Sequence, residues 1–323
     1  MVGETPRNDL VFGGSGFIGT HLVRRLAGEG HRVVSVDIRP PRERLDGVTY
    51  LTGDVRDLSS FDPGMRIDRI YNLAAVHTTP GHPAHEYYET NILGATSITA
   101  LARRLDIRDI VFTSSISVYG PGEETKREDS APAPESPYGW SKYMAERIQT
   151  AWLEEDDSRR LVICRPAVIF GPGEGGNFTR MAKLLKKGFF VYPGRKDTIK
   201  ACFYVGDLLD AIELATRREE RLVLFNGCYP DRYTLEQIVE AFRAQHMRGA
   251  RTFLVPRGVV TLAATVLRPF SVMGLGIHPD RVMKLVRSTD VVPGWLETVG
   301  EATQGRLPSA IDRWNAESGG RFI

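Results

Sequence analysis

Cysteine is scarce in this chain. Its 323 residues hold three, Cys164, Cys202 and Cys228, odd in number and far apart. That excludes a disulfide framework and offers no metal-ligand spacing, so no metal site is expected. Buried free thiols in a reducing cytosol are the expectation. An excess of charge of one sign is also missing. With 42 Lys and Arg against 40 Asp and Glu, the net charge is +2. This speaks against a nucleic-acid partner and against an acidic tail. The opening MVGETPRND has no apolar core, so no secretory leader is expected and the location should be cytoplasmic. Internal repeats and low-complexity segments are absent. One long apolar stretch occurs, GVVTLAATVLRPFSVMGLGI at 258–277, and Arg268-Pro269 interrupts it. Its uninterrupted part is too short to span a bilayer. It is either a buried helix and loop or a patch lying against a membrane surface, so peripheral contact is the most that is expected.

What is present is the balance of an ordinary soluble protein, 42% apolar and 25% charged. The length suits one large domain or two modest ones. The informative stretch is Leu10-Val11-Phe12-Gly13-Gly14-Ser15-Gly16-Phe17-Ile18-Gly19. A short apolar run enters three glycines spaced three apart, and an amphipathic run follows. Strand, tight turn and helix are predicted. One glycine would make the turn, one would let the backbone approach a pyrophosphate, and one would let helix meet strand. The spacing is one residue longer than the ordinary G-x-G-x-x-G. The next strand ends in Asp37, about twenty residues beyond the glycines, where a carboxylate suits ribose hydroxyls. Asp37 favours NAD over NADP. Arg39 is the nearby group that would suit a 2′-phosphate instead.

Further strands are predicted at Val48–Thr52, at 69–73 and 110–113, and at 160–165. A long helix at 84–105 and a helix opening at Ser136-Pro137 separate some of them. A polar loop, 121–137, lies between. Beyond it come a helix at 178–187, an extended stretch at 198–205, a helix at 206–216, a strand at 222–225, a capping box at Thr234-Leu235-Glu236-Gln237, a strand at 252–255 and a last helix at 309–316. This alternation predicts an α/β fold, a doubly wound parallel Rossmann sheet with a smaller α/β C-terminal substrate domain. The dinucleotide-binding domain is expected at 1–170, with 200–228 returning to it, and the substrate domain mainly at 171–323. Ligands bind outside the carboxyl ends of such strands.

Chemistry is signalled by Tyr138 and Lys142, four apart on one helix face. A phenol titrates near 10, so acting as a base at neutral pH needs a shift of roughly three units, or about 4 kcal/mol. A lysine ammonium one turn away and a positively charged nicotinamide can supply it. Ser115 can hold the substrate oxygen. The assembly serves alcohol oxidation or carbonyl reduction coupled to hydride exchange.

These segments resemble the extended short-chain dehydrogenase/reductase family, in its NAD-dependent sugar epimerase/dehydratase branch. The likeness is carried by the Gly13–Gly19 motif, Asp54-Val55, Asn72-Leu73-Ala74-Ala75, Ser114-Ser115, Val118-Tyr119-Gly120, Tyr138-x-x-x-Lys142, Arg165-Pro166, Phe170-Gly171-Pro172-Gly173 and Tyr204-Val205-Gly206-Asp207-Leu208. The resemblance implies a catalytic trio, Ser115, Tyr138 and Lys142. It implies NAD contacts from Gly13, Ser15, Gly16, Phe17, Ile18 and Gly19, from Asp37, Ile38 and Arg39, and from Asp54 and Val55. Leu73, Ala74 and Ala75, then Asn91, Thr113, Pro166 and Val168, complete that set with Tyr138 and Lys142. Substrate contacts are implied for His77, Ser115, Ser117, Asn177 and Lys200.

Dehydratases of this family carry an Asp-Glu pair beside the catalytic hydroxyl, and decarboxylating members a Glu. Here Ile116 and Ser117 stand there. The resemblance therefore implies a 4-epimerase of an activated, nucleotide- or lipid-pyrophosphate-linked hexose. An NAD(P)H-dependent 4-keto-sugar reductase is the alternative, and a non-catalytic dinucleotide-sensing protein a further one. Val168 replaces a frequent Asn, and Lys200-Ala201 a frequent Arg-Asp, so the usual pyrophosphate contacts fall to Asn177 and Lys200. The pattern 165–171, Lys200 and Arg281-Val282-Met283-Lys284-Leu285 are similar to epimerases of surface-polysaccharide pathways, including ones acting on lipid-pyrophosphate-linked N-acetylhexosamine. A homodimer through the helices near Ala84 and Tyr138 is also implied, with Met144, Ile148 and Trp152 as candidates.

Overall fold

A computed structural model describes residues 6–79, 81–256, 258 and 286–323. The chain begins β1 (Asn8–Phe12), α1 (Phe17–Gly28), β2 (Arg32–Asp37), β3 (Val48–Thr52) and β4 (Arg69–Asn72). Then come α2 (Ala84–Tyr88), α3 (Gly94–Arg104), β5 (Asp109–Thr113), β6 (Gly122–Lys126), α4 (Pro137–Glu154) and β7 (Arg160–Pro166). These are followed by β8 (Val168–Phe170), α5 (Asn177–Lys186), β9 (Phe189–Gly194), β10 (Cys202–Tyr204), α6 (Val205–Thr216) and β11 (Leu222–Gly227). Seven strands form one parallel sheet in the order β11-β7-β5-β4-β1-β2-β3. The order reverses at β1, which lies between β2 and β4, and opens a crevice at the glycine turn.

Alternation along each strand decides which helices cover which face. Val11, Val33, Val111 and Val162 point to one side, into the cluster holding Leu22, Val23 and Leu26 of α1 and Leu208 and Ile212 of α6. Leu10, Phe12, Val34, Ile110 and Phe112 point to the other, where Ile98 and Leu101 of α3 and Ala145 and Trp152 of α4 meet them. Both faces are buried, so the strands read as nearly unbroken apolar runs. Ser136 caps α4 by accepting from Gly139 N at 3.1 Å, and Pro137 opens the helix. All three cysteines are buried free thiols.

The rest of the described chain comprises α7 (Leu235–His246), β12 (Arg251–Pro256), β13 (Thr289–Val291), α8 (Gly294–Thr298) and α9 (Leu307–Glu317). The capping box at Thr234 and Gln237 is formed. Three parallel strand pairs, β8 with β10, β9 with β12 and β6 with β13, link sequence-distant parts.

Two expectations need correction and one a refinement. The helix at 84–105 runs unbroken to Arg104 but is not uniform, because a π-helical turn, Glu89–Leu93, joins α2 to α3. The loop at 121–137 contains β6, whose partner β13 is too remote in sequence for local periodicity to reveal. The extended stretch at 198–205 is regular only at β10, although Ile199 and Lys200 make isolated bridges to Thr234 and Thr289. The apolar stretch from Val259 to Ile277 and residues 281–285 lie outside the described residues.

Trp152 is fully buried in the cluster beneath α3 and α4. Trp152→Ala should lower the unfolding free energy by about 3–5 kcal/mol, measured by urea denaturation. A loss under about 1 kcal/mol would show that this core repacks freely.

Candidate active site

The glycine turn is built by contact. Gly13 has φ +81°, and a Cβ there would sit 2.7 Å from Ala74 N and Leu73 C. A Cβ on Gly19 would meet Gly13 O at 2.1 Å. The turn after β1 is thus pressed against both the exit of β4 and the first turn of α1. Gly16 is the N-cap of α1 and brings no side chain to cap it, so the first-turn N–H groups have no intrahelical acceptor. That end of the helix fits a pyrophosphate. Asp37 lies beside it. Its carboxylate accepts from Ser15 N at 3.1 Å and Arg39 N at 3.0 Å, and Ser15 Oγ donates to Arg39 O. Phe17 and Ile18 are half-buried, while Ile38 and Arg39 extend outward. Asp54 is held by Arg56 in a forked pair, and Val55 is buried with a methyl against Gly94. These residues fit a dinucleotide.

Two side chains that no local motif marks close this cradle. Arg42 Nε donates to Ser15 O at 3.2 Å, and its Nη1 donates to Gly173 O at 2.8 Å. His21 Nε2 donates to Pro172 O at 2.8 Å. They tie the glycine turn to the Gly171–Gly173 bend, where Pro172 lies 151 residues beyond His21.

The ends of β5 and α4 bring Ser115, Tyr138 and Lys142 together. Ser115 begins a tight helical turn, Ile116–Tyr119, and its Oγ accepts from Ser117 N at 3.1 Å. Its hydroxyl is also close enough to the Tyr138 phenol to act on it. Gly139 lets the two segments approach, since a Cβ there would be 2.5 Å from Ser117 O. Burial pushes the Tyr138 phenol up to about 12. The Ser115 hydroxyl opposes this and Tyr87 adds to it. The Tyr87 ring lies 6.2 Å from that of Tyr138. Lys142 is 2% exposed, donates from Nζ to Thr113 O at 2.8 Å and stands 4.8 Å over the Phe112 ring. Burial brings its pKa down to about 7, against the pull of Glu146. The sequence reading expects a phenol shifted downward. In the protein alone burial prevails, Lys142 is not among the groups that move the phenol, and the downward shift is left to what binds.

The other expected contacts differ in what they are free to do. Asn91 is committed within the protein: Oδ1 accepts from Val76 N at 3.0 Å, and Nδ2 donates to Val76 O and to Ser141 Oγ. It fastens the segment carrying His77 to α4. His77 is pushed down, first by burial and then by the Lys142 charge. Thr113 Oγ1 donates to Asn72 O, and Thr113 O receives Lys142. Asn72 Oδ1 and Ser114 Oγ, buried at the ends of β4 and β5, have no partner among the described residues. Pro166 ends β7, and Val168 N donates to Ala201 O at 3.2 Å. Ser117 is half-buried beside Ser115. Asn177 opens α5 and is exposed. Lys200 Nζ donates to Arg287 O at 2.5 Å, and burial lowers it to about 8.

Lys142 yields a stability test. Its pKa falls from 10.5 to about 7 on folding. Between those values the unfolded chain holds a proton that the folded chain lacks, so stability rises with pH across the interval. Below about 7 this contribution is flat. Lys142→Met should remove the rise. Urea unfolding over a pH series, wild type minus variant, measures it, and a pH-independent difference would contradict the burial of this ammonium.

Comparison with known proteins agrees with this geometry. The NAD dependent epimerase/dehydratase family model matches residues 10–228. The chain is 31% identical over 208 residues to the N-acetyl-alpha-D-glucosaminyl-diphospho-ditrans,octacis-undecaprenol 4-epimerase of Escherichia coli O157:H7, covering 64% of this chain and 62% of that one. It is 31% identical over 194 residues to the UDP-glucose 4-epimerase of Vibrio cholerae, covering 57% and 58%. The chain thus spans less than two thirds of the length of these curated relatives. Among solved structures, MoeE5 in complex with UDP-glucose and NAD superposes with a TM-score of 0.74 at 25% identity, over 96% of this chain and 99% of that one. By the family match over most of its length, the chain belongs to the NAD-dependent epimerase/dehydratase family.

Proposed function

We propose that this protein is an NAD-dependent 4-epimerase of an activated hexose carried on a nucleotide or a lipid pyrophosphate. The observation that carries the reading is the Ser115–Tyr138–Lys142 cluster beside the glycine cradle, with Ile116 and Ser117 where an eliminating enzyme needs acids. Both curated relatives described above are 4-epimerases. Asp37, aimed at the cradle, favours NAD, because its charge would repel a 2′-phosphate.

The residues divide the work by what each can hold. The nicotinamide ring, when bound, supplies a reversible hydride acceptor. Tyr138 Oη takes the proton of the C4 hydroxyl as the C4 hydride leaves. Lys142 and the cofactor charge favour the phenolate that burial opposes. Ser115 Oγ holds the C4 oxygen throughout. The 4-keto sugar turns over in the pocket, Tyr138 returns the proton, and the opposite configuration forms. Asn177 and Lys200 are the candidates for the substrate's phosphates.

The same reading includes the N-terminal cofactor domain with 200–228 returning, a substrate-binding remainder, and a homodimer. Tyr88, Leu93, Trp140 and Met144 are large apolar side chains exposed on the α2–α3 and α4 surfaces. Met144 suits an interface, whereas Trp152 is core and Ile148 packs against core. No described helix is long and apolar enough to cross a membrane. Peripheral contact through 258–277 and a cytoplasmic location remain part of the proposal, the latter supported by the three free thiols.

Purified protein should interconvert gluco- and galacto-configured activated sugars without added cofactor, and acid release should yield NAD. Tyr138→Phe should cut turnover by about 10²–10⁴-fold with NAD still bound. Stoichiometric consumption of added NADH would instead indicate the keto-reductase, and full activity in Tyr138→Phe would remove the catalytic reading. In light scattering the wild type should be a dimer, and Leu93→Glu with Met144→Glu a monomer. A monomeric wild type would overturn the interface.

A further inference from the structure

Behind the catalytic trio lies a buried ionic unit to which neither the sequence motifs nor the proposed chemistry gives a task. Tyr138, Lys142 and Glu146 are spaced i, i+4, i+8 on α4, so they share one face. Glu146 is 4% exposed. Its two oxygens accept from Arg165 Nε at 2.9 Å and Nη2 at 2.7 Å. The third arm of Arg165 donates from Nη1 to Tyr119 Oη at 2.7 Å, with the guanidinium 4.9 Å over the Tyr119 ring. Tyr119 Oη donates to Asn226 Oδ1 at 2.9 Å, and Asn226 Nδ2 donates to Val292 O at 3.0 Å. The chain of bonds therefore runs from the catalytic helix through the end of β7 to the last residue of the turn that begins at Ser115. It then continues to β11 and the segment after β13.

We infer that Glu146, Arg165 and Tyr119 form a positioning unit, which fixes the Ser115 turn against the Tyr138–Lys142 helix and places a carboxylate one turn behind Lys142. It rests on the catalytic roles proposed above for Ser115, Tyr138 and Lys142. Two observations favour it over a merely structural pair. Buried ion pairs add little stability compared with apolar groups of the same volume, so stability does not account for this one. The forked geometry is also the arrangement that fixes direction, since two parallel bonds orient the guanidinium and leave its third arm aimed at Tyr119.

The charge effect has a definite sign. Burial disfavours the Lys142 ammonium, and Glu146 is the group that opposes it. The other groups around Lys142 are Tyr138 on its own helix, His77 beyond β4, and the Phe112 ring and Thr113 carbonyl of β5. Arg165 from β7 and Tyr119 lie on the far side of Glu146. None of these besides Glu146 is a carboxylate. A cationic Lys142 is what the phenolate of Tyr138 needs, so Glu146 acts on the base through the lysine.

The experiment uses the full chain. Glu146→Gln alone would strand the Arg165 cation, so the charge is removed with the neutral double variant Glu146→Gln/Arg165→Met. In the wild type, stability referred to Lys142→Met should begin to rise with pH near about 7. In the double variant, referred to the same substitution in its own background, the rise should begin about one unit lower. A merely structural pair would lower stability evenly and leave this onset in place, which would overturn the charge role. Tyr119→Phe keeps both charges and cuts the link to the Ser115 turn. It should leave the onset unmoved and lower kcat by about tenfold, with KM changed less. An unchanged kcat in Tyr119→Phe would overturn the positioning role, and that variant decides the case if the double variant does not fold. Failure of the wild type to turn over any sugar would count against the functional reading alone, because the onset measurement needs neither sugar nor cofactor.

Discussion

A lysine ammonium has been placed where almost no water reaches it, and the site is arranged around that fact. Lys142 is 2% exposed, with one carbonyl, one aromatic face and a carboxylate one turn away to answer its charge. Desolvation pushes it toward neutrality at the pH where the cell operates. The same burial drives Tyr138 toward its neutral form. The two groups are therefore poised against their charged states, and a ligand that adds positive charge tips Tyr138 toward the phenolate while opposing the Lys142 ammonium. Tuning of this kind suits a reversible proton transfer, in which the base must give back what it takes.

The sheet delivers these side chains to one place because small residues permit close approach at its carboxyl edge. Gly13 lies against the backbone at Leu73 and Ala74, Gly19 against Gly13 itself, and Gly139 against Ser117. Each contact joins segments that are separate in sequence: β1 to the exit of β4, the turn to α1, and the Ser115 turn to α4. Arg42 and His21 then fasten the cradle to the bend at Gly171–Gly173. The cofactor cradle and the catalytic cluster thus share a frame of short contacts rather than loops free to choose their distance.

Much of this was legible in the chain. The apolar run into Gly13, the carboxylate at Asp37 and the spacing of Tyr138 to Lys142 each have a local physical meaning, and the parallel sheet follows from the alternation of strands and helices. What could not be read depends on partners remote in sequence. The strand β6 exists because β13 lies beside it, with Thr125 bonded to Asp290 across 165 residues of sequence. The π turn at Glu89–Leu93 lies within a helix whose apolar spacing gives no sign of it. Asn91 looked available for a ligand, yet its amide is used by Val76 and Ser141. Glu146 carried one usable signal, an acid eight residues beyond Tyr138 on the same helix face. Its partner Arg165 comes from a different strand, and no periodicity connects them.

The central claim is that one site removes a hydride from C4 of a sugar and returns it to the opposite face, with Tyr138 handling the proton. An activated hexose deuterated at C4, incubated with the purified protein in ordinary water, tests it most directly. Mass spectrometry and NMR of the epimerised product should find the deuterium still at C4, with none lost to solvent and no added cofactor required. Product whose C4 deuterium has been replaced by solvent hydrogen would contradict the account.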